Sequence, residues 1–247
     1  MVVTQFKDIR ALVTGANRGI GRAIVDVLLE QGAAKVYAAA RNTKSLEGLE
    51  REAGSCLELL SLDVTNNDQI RGIAGKLGDL NVLINNAGVS YPLEPFNDRN
   101  LEYARAEMEV NYFGPLYLIH YLLPTLMKNT GAIVNIASVG GLANYPPVLT
   151  YSASKAAIHS ITQGLRALLK NKGVHVVGVY PGPIDTDMSR HDKMEKISPK
   201  VVAENLFSRL FEGTEDIFPD PPAQQFGNLY MANPKDAERL FAASLGG

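Results

Sequence analysis

The chain has 247 residues, of which 46% are hydrophobic and 20% are charged, and its formal net charge is −2. This composition is typical of a globular protein, and the lack of a basic surplus argues against a nucleic-acid partner. The longest apolar stretch, Leu116 to Met127, contains His120 and Pro124 and is shorter than the ~18 residues of a membrane span, so we expect no membrane anchor. No secretory leader is recognised either, and we expect a cytoplasmic protein.

Short apolar runs alternate with amphipathic segments of helix length. This alternation predicts an α/β fold with a doubly wound, mostly parallel sheet covered by helices on both faces, in a single domain over residues 1–247. The predicted strands are 11–14, 35–40, 56–62, 81–85, 132–137 and 174–180. The predicted helices are 21–31, a segment after residue 66, 101–128, 151–170 and a short one at 199–211. We interpret residues from about 185 to 225 as substrate-side loops around that short helix, followed by a tail.

The chain contains one cysteine, Cys56, at the start of the third predicted strand. One cysteine cannot form a disulfide within the chain. Its leucine neighbours indicate a buried position, and we interpret Cys56 as an inert thiol of the core.

A glycine-rich segment joins the first predicted strand to the first helix. Glycines at such a junction let the backbone approach a pyrophosphate at the helix N-terminus, which predicts a dinucleotide site. The spacing is Gly-x-x-x-Gly-x-Gly, and an ordinary glycine-rich turn is the alternative interpretation. The cofactor-binding candidates in this loop are Gly15, Asn17, Arg18, Gly19 and Ile20.

Arg41 follows the second predicted strand, at the position that faces the adenosine ribose in folds of this kind. An acidic residue there would bind the 2′-hydroxyl of NAD, whereas a guanidinium pairs with the 2′-phosphate of NADP, and Ala40 leaves room for that group. Arg18 offers a second guanidinium, or it is a solvated loop residue. The two arginines predict NADP(H) as the cofactor.

Two other strand ends carry cofactor candidates. Asp63 closes the third strand and can accept a hydrogen bond from the adenine amine, with Val64 packed near the ring; a turn or N-cap aspartate is the alternative. After the fourth strand, Asn86, Ala87 and Gly88 let a cofactor pass close to the sheet edge, although such a segment could be only a turn.

Tyr151 and Lys155 are four residues apart on a predicted helix, so their side chains share one face. A tyrosine with a pKa near ~10 is a poor acid–base catalyst at neutral pH, and a neighbouring ammonium lowers that pKa. Ser138 ends a strand where its hydroxyl can bind a substrate oxygen and orient it toward Tyr151. Asn111 is a candidate anchor for a water that links Lys155 to solvent. Taken alone, the Tyr-x-x-x-Lys pair could be an exposed aromatic–cation pair.

Together these motifs resemble the short-chain dehydrogenase/reductase family over roughly residues 8 to 190. The resemblance implies a Rossmann-like sheet of about seven strands, a nicotinamide cofactor and no metal. It also implies a catalytic tetrad in which Asn111 holds the relay water, Ser138 the carbonyl and Tyr151 the transferred proton, while Lys155 binds the ribose and lowers the tyrosine pKa. A family loop after the sixth strand matches residues 181–186, so Pro181 and Gly182 would contact the cofactor. In that loop the Ile184 backbone and the Thr186 hydroxyl would bind the nicotinamide carboxamide.

The stretch from Glu215 to Pro222 departs from the family pattern. Many family members have a glycine-rich seventh strand and a short tail there, which contribute to a subunit interface. The terminal Gly246-Gly247 is not that tail motif. We therefore expect a homodimer through the two long helices and leave a tetramer open.

The predicted function is NADPH-dependent reduction of a ketone or aldehyde, reversible as alcohol oxidation, with a hydride from nicotinamide C4 and a proton from Tyr151. The alternative is a catalytically silent NADP-binding redox sensor, against which the retained tyrosine and lysine argue. The substrate is expected to contact Ser138, Tyr145 and Tyr151, although Tyr145 could be plain packing. A mainly apolar rim is expected from Ser90, Tyr91, Gly140, Leu142, Tyr145, Met188 and His191, with a surface role favoured for the histidine.

Overall fold

The computed structural model describes residues 3–91, 98–190 and 196–245. Its centre is a parallel sheet of seven strands in the order β3-β2-β1-β4-β5-β6-β7. The strands are β1 Arg10–Thr14, β2 Lys35–Ala40, β3 Leu57–Ser61, β4 Val82–Asn85, β5 Ala132–Ile136, β6 His175–Val179 and β7 Asp216–Ile217. The order reverses between β1 and β4, and the carboxyl ends of these strands open a crevice there. The predicted doubly wound α/β fold is confirmed.

Helices cover both faces of the sheet. They are α1 Gly19–Glu30, α2 Glu47–Ala53, α3 Asn67–Ala74, α4 Asp98–Met108, α5 Gly114–Lys128, α6 Leu149–Leu169, α7 Pro199–Phe211, α8 Pro221–Ala232 and α9 Pro234–Ala242. Successive strand residues point to opposite faces, so Ala11 and Val13 of β1 pack in one core layer with α1 and α7, whereas Leu12 packs in the other with α3 and α5. Within the described ranges, no helix combines the length and apolar character needed to cross a membrane.

The long helix predicted over 101–128 is two helices joined by a π-helical turn, Glu109–Phe113. α5 continues through Pro124 to Lys128. A π turn holds one more residue than an α turn, and such turns are frequent at functional sites. The turn contains Asn111, which is almost completely buried.

The interpretation of Cys56 as a core thiol is wrong. Cys56 ends a short 3-10 turn, Gly54–Cys56, just before β3, and it is exposed. The strand begins at Leu57, which is buried. β3 lies at the edge of the sheet, so the residue that leads into it is not covered by a neighbouring strand.

The C-terminal region is more regular than the predicted tail. The seventh strand, β7, has only two residues. Two helices, α8 and α9, follow it where the sequence predicted no helix. Arg166 of α6 joins β7 to the sheet, with Nε donating to the Val176 carbonyl at 3.1 Å and Nη1 donating to Asp216 at 3.1 Å. The helices α8 and α9 each begin with proline after a capping side chain, Asp220 or Asn233.

Candidate active site

The loops after β1 and β4 are hydrogen-bonded to each other across the crevice. The Thr14 hydroxyl accepts from the backbone N–H groups of Asn86 and Ala87, each at 3.0 Å. Asn86 Nδ2 in turn donates to the Thr14 carbonyl at 2.8 Å. The two predicted cofactor segments, 15–20 and 86–88, therefore lie side by side.

The glycine loop packs so closely that two of its glycines exclude a side chain. Gly15 has a left-handed φ of +63°, and a Cβ there would lie 2.9 Å from Ala87 Cα. A Cβ at Gly21 would lie 2.3 Å from Asn86 Nδ2 and from the Gly15 carbonyl oxygen. α1 starts at Gly19, and the side chain of its N-cap residue, Arg18, makes no capping hydrogen bond. Backbone N–H groups at such a helix start can bind an anion.

At the expected adenosine end, Arg41 directly follows β2 and is exposed. Asp63 follows β3, and its Oδ1 accepts from the Thr65 backbone N–H at 2.9 Å and from the Thr65 hydroxyl at 2.7 Å. These bonds hold the pKa of Asp63 below its usual value, and the nearby charge of Arg41 contributes to the lowering. Asp63 therefore stabilises a turn, which is the alternative that the sequence left open beside adenine binding. It also lies close enough to Arg41 for their charges to interact. Val64 is buried.

Arg18, the second predicted phosphate ligand, forms an exposed ion pair. Its Nη1 lies 3.4 Å from Oδ2 of Asp187, which also pairs with Arg190. A Cβ at Gly19 would lie 3.2 Å from Thr186 Cγ2. The segment after β6 therefore lies directly against the glycine loop.

The four predicted catalytic residues come from three elements and meet beside the crevice. Ser138 follows β5, Asn111 lies in the π turn, and Tyr151 and Lys155 are on α6. Lys155 Nζ donates to the Ile136 carbonyl at 2.7 Å and lies 5.6 Å from the centre of the Tyr151 ring.

Gly88 lies next to two members of this group. A Cβ there would be 3.3 Å from Asn111 Oδ1 and 3.6 Å from Lys155 Nζ. The Asn111 side chain itself is held by the segment after β4 and by α6. Its Nδ2 donates to the Val89 carbonyl and to Ser154 Oγ, both at 2.8 Å, and its Oδ1 accepts from the Val89 N–H at 2.9 Å. One lone pair of Oδ1 remains for a further donor.

Burial shifts the pKa values of the two reactive groups in opposite directions. It raises the pKa of Tyr151 to about 12, while hydrogen bonding with Ser138 lowers that pKa in part and the charge of Glu107 raises it further. Burial also lowers the pKa of Lys155 to about 8. The expectation that Lys155 brings the tyrosine pKa below its usual value is contradicted, because desolvation of the phenol dominates.

The residues after β6 that are predicted to bind the nicotinamide are held by a residue that the sequence analysis did not single out. Asp220, which has no exposed surface, accepts from the Gly182 N–H at 3.0 Å through Oδ2 and from the Ala223 N–H at 2.9 Å through Oδ1. It therefore ties the turn after β6 to α8. The signal for this residue was its place before Pro221-Pro222, which is typical of a helix N-cap.

Further along, Ile184 is buried, and the Thr186 hydroxyl accepts from the backbone of Ser189 in a capping box. Ser189 also donates to the Ile184 carbonyl. Asp185 N–H donates to the Ile197 carbonyl at 2.9 Å, which brings the two ends of the segment after β6 together. Pro181 is buried, and its carbonyl accepts from Val139 at 3.2 Å.

The residues expected on the substrate rim lie in different surroundings. Gly140 is buried beside Ser138, and the Tyr145 ring packs on Phe241 of α9 with 5.1 Å between ring centres, so the packing role of Tyr145 is present. Met188 is exposed. His191 lies outside the described residues. Among the described residues, no group of three or more His, Cys, Asp or Glu side chains could hold a metal ion.

A second residue missed from the sequence is Glu107, on the last turn of α4. It has no exposed surface, and its Oε1 accepts from the Tyr91 N–H at 2.9 Å. Its sequence neighbours Arg105 and Glu109 are exposed, so the local pattern indicated a solvated helix face.

The chain is similar in sequence and in structure to known oxidoreductases. A family model described as short chain dehydrogenase matches residues 10–196. An uncharacterized oxidoreductase of Staphylococcus saprophyticus is 33% identical over 213 residues, which cover 82% of this chain and 91% of the relative. The crystal structure of a short chain dehydrogenase from Burkholderia cenocepacia in complex with NADP is 36% identical, with a TM-score of 0.89 and coverage of 96% of this chain and 98% of that one. A short chain dehydrogenase/reductase from Burkholderia phymatum in complex with NAD has the same fold, with a TM-score of 0.82, 23% identity and coverage of 94% and 96%.

Proposed function

Because the chain belongs to the short chain dehydrogenase family of oxidoreductases, we propose that it reduces a ketone or aldehyde to an alcohol with NADPH, reversibly. The observation that carries the proposal is the meeting of Ser138, Tyr151 and Lys155 beside the β1–β4 crevice, with a phenol that is protonated at neutral pH. A hydrogen-bond donor, a proton donor and a buried cation are the groups that carbonyl reduction needs.

The residues of the crevice fit a dinucleotide. The absence of side chains at Gly15 and Gly21 lets the loop after β1 pack against the segment after β4, the start of α1 lacks a side-chain cap, and Arg41 is exposed at the strand end where a 2′-phosphate would lie. The Burkholderia cenocepacia relative binds NADP, which agrees with the charge of Arg41. We therefore propose NADP(H) as the cofactor, held also by Asn86 and the segment 181–186.

When bound, NADPH would supply a hydride to the carbonyl carbon. The Ser138 hydroxyl would hold the carbonyl oxygen, and Tyr151 would give that oxygen its phenolic proton, so that the alcohol forms. Lys155, held by the Ile136 carbonyl, would stabilise the phenolate left behind. A water between Asn111 Oδ1 and Lys155 Nζ, at the open side of Gly88, would return the proton from solvent.

The proposed subunit arrangement is a homodimer through the α4–α5 and α6 helices. Leu101 on α4 and Leu168 on α6 are both strongly exposed, which supports contact of these helices with a second copy. Analytical ultracentrifugation of the wild type and of Leu168→Asp tests it. A dimer that dissociates in the variant supports the proposal, and a monomeric wild type contradicts it.

The function is tested by binding and turnover measured separately. NADPH and NADH are titrated into the protein by fluorescence, and NADPH oxidation is then followed with a panel of ketones and aldehydes. We expect tight NADPH binding and turnover of at least one carbonyl, with Tyr151→Phe binding NADPH normally but losing turnover. Binding without turnover across the panel would favour the silent sensor, and unchanged turnover in Tyr151→Phe would refute the assigned mechanism.

A further inference from the structure

A buried carboxylate lies beside the catalytic tyrosine and is not used in the mechanism above. Glu107 has no exposed surface, and its Oε1 accepts from the Tyr91 N–H at 2.9 Å. Its Oε2 is also buried and has no hydrogen-bond partner in the described part of the chain. Buried carboxylate oxygens are normally hydrogen-bonded because desolvating a charge is costly, so Glu107 calls for a specific explanation.

On one side, Glu107 holds the segment that follows β4. The N–H of Tyr91 is bound by the carboxylate, and the Tyr91 ring stacks on Tyr103, with 4.5 Å between the ring centres and 9° between the planes. Tyr103 is one turn before Glu107 on α4. α4 therefore fixes Tyr91, a residue of the expected substrate rim, at both its backbone and its ring.

On the other side, Glu107 faces the start of α6. The Thr150 side chain lies beside the carboxyl group, and the next residue is Tyr151. Burial raises the pKa of Glu107, while the nearby Thr150 side chain and the hydrogen bond from the Tyr91 N–H lower it in part. The titratable residues near it on other elements are Tyr91, whose N–H donates to it, and Tyr151 at the start of α6.

We propose that Glu107 is a positioning residue for the proton transfer: it holds the Tyr91 segment against the start of α6, and its negative charge adds to the burial that keeps Tyr151 in the phenol form. The inference rests on the function proposed above. A phenol donates the proton needed for reduction, and a phenolate accepts the proton released in oxidation. The charge of Glu107 therefore favours the form of Tyr151 that takes part in reduction.

The first test is Glu107→Gln, which preserves the size of the side chain and an oxygen that accepts from Tyr91 but removes the charge. Tyr151 ionisation is followed by near-ultraviolet phenolate absorbance, as the difference between each protein and the same protein carrying Tyr151→Phe. We expect the Tyr151 signal to begin about one pH unit lower in Glu107→Gln, because a negative charge near the phenol has been removed. This readout requires no turnover, so it separates failure of this inference from failure of the proposed function.

The matched control is Glu109→Gln, which removes the same charge from an exposed position two residues away. It should leave the Tyr151 signal where it is in the wild type. An onset that does not move in Glu107→Gln, or that moves equally in both variants, overturns the inference. If Glu107→Gln does not fold, Glu107→Asp is used instead, because it retains the charge. The pH at which its Tyr151 signal begins should stay within a few tenths of a pH unit of the wild type. A shift as large as one pH unit overturns the inference.

The positional part of the inference has its own measurement. Glu107→Leu cannot accept a hydrogen bond, so the Tyr91 amide should exchange with deuterium at least tenfold faster than in the wild type. Unchanged exchange would show that Glu107 does not hold this segment. If a substrate is found, the alkaline limb of alcohol oxidation should move to lower pH in Glu107→Gln and not in Glu109→Gln.

Discussion

Asn86 donates two hydrogen bonds to Thr14. The Asn86 N–H donates to the Thr14 hydroxyl at 3.0 Å, and the Asn86 side chain donates to the Thr14 carbonyl at 2.8 Å. These residues end β1 and follow β4, the two strands between which the sheet order reverses. The pair therefore fixes the distance between the two walls of the proposed cofactor crevice.

Asn86→Ala should loosen this crevice. The Thr14 carbonyl loses a donor, and we expect a loss of about 1–3 kcal/mol in the free energy of unfolding and roughly tenfold weaker NADPH binding. Urea unfolding and fluorescence titration measure the two effects. Asn67→Ala, at an exposed position on α3, is the control and should change neither. Normal NADPH affinity in Asn86→Ala would argue against this role.

Gly15→Ala and Gly32→Ala form a matched pair. Both glycines have a left-handed φ, +63° and +77°, but only Gly15 has a neighbour at the position of the new Cβ, whereas nothing lies within 4 Å of Gly32. Each substitution should cost about 1–2 kcal/mol of unfolding free energy because alanine disfavours this conformation. Only Gly15→Ala should also weaken NADPH binding, by tenfold or more, because Ala87 must move. Equal NADPH affinity in the two variants would contradict the proposed position of the cofactor.

Arg41→Ala should reduce the preference for NADPH. A guanidinium on a phosphate makes strong charge-assisted hydrogen bonds, so we expect NADPH to bind about 10- to 100-fold more weakly while NADH binding stays the same. Arg51→Ala removes another exposed arginine, on α2, and should change neither affinity. A wild type that prefers NADH, or an Arg41→Ala protein with normal NADPH binding, would refute this interpretation of Arg41.

The two directions of the proposed reaction should respond to pH with opposite signs. Burial raises the pKa of Tyr151 to about 12, so the phenol is protonated at neutral pH. Oxidation needs the phenolate, and its rate should rise about tenfold per pH unit below the tyrosine pKa of the enzyme complex. Reduction needs the phenol, and its rate should fall as the pH passes that pKa. Initial rates in both directions between about pH 6 and about pH 10 measure this, and an oxidation rate independent of pH would contradict the role of Tyr151 as the base.

The alternation of strands and helices could be predicted from the sequence because the strands are short apolar runs and are buried on both faces, as Val82 to Asn85 are. Most residues of the candidate site could be proposed from the sequence because they lie at a strand end or one helical turn from another, so local spacing alone indicates their direction. Tyr151 and Lys155 are an example, since four residues on a helix place them on one face. Asn111, in the π turn, is an exception.

Other features depend on contacts between distant parts of the chain. The burial that raises the pKa of Tyr151 comes from packing around α6, and the charge of Glu107 reaches it from α4, so motif spacing could not show either. Cys56 was misplaced because its leucine neighbours indicated burial without showing where the strand begins. The helices α8 and α9 did have local signals, an Asp or Asn before proline, but these lay in a stretch interpreted as proline-rich loops.

Because of the π turn at Glu109–Phe113, the side chains of α5 are rotated around the helix axis relative to those of α4. One extra residue displaces every later side chain by about 100° around the axis, compared with an unbroken α-helix. The two halves of the long segment can therefore present different faces to their surroundings: α4 turns Glu107 toward α6, and α5 turns Leu118 and Leu122 toward the sheet. The turn in this way separates the helix face that carries Glu107, beside the proposed proton donor, from the face that packs against the sheet.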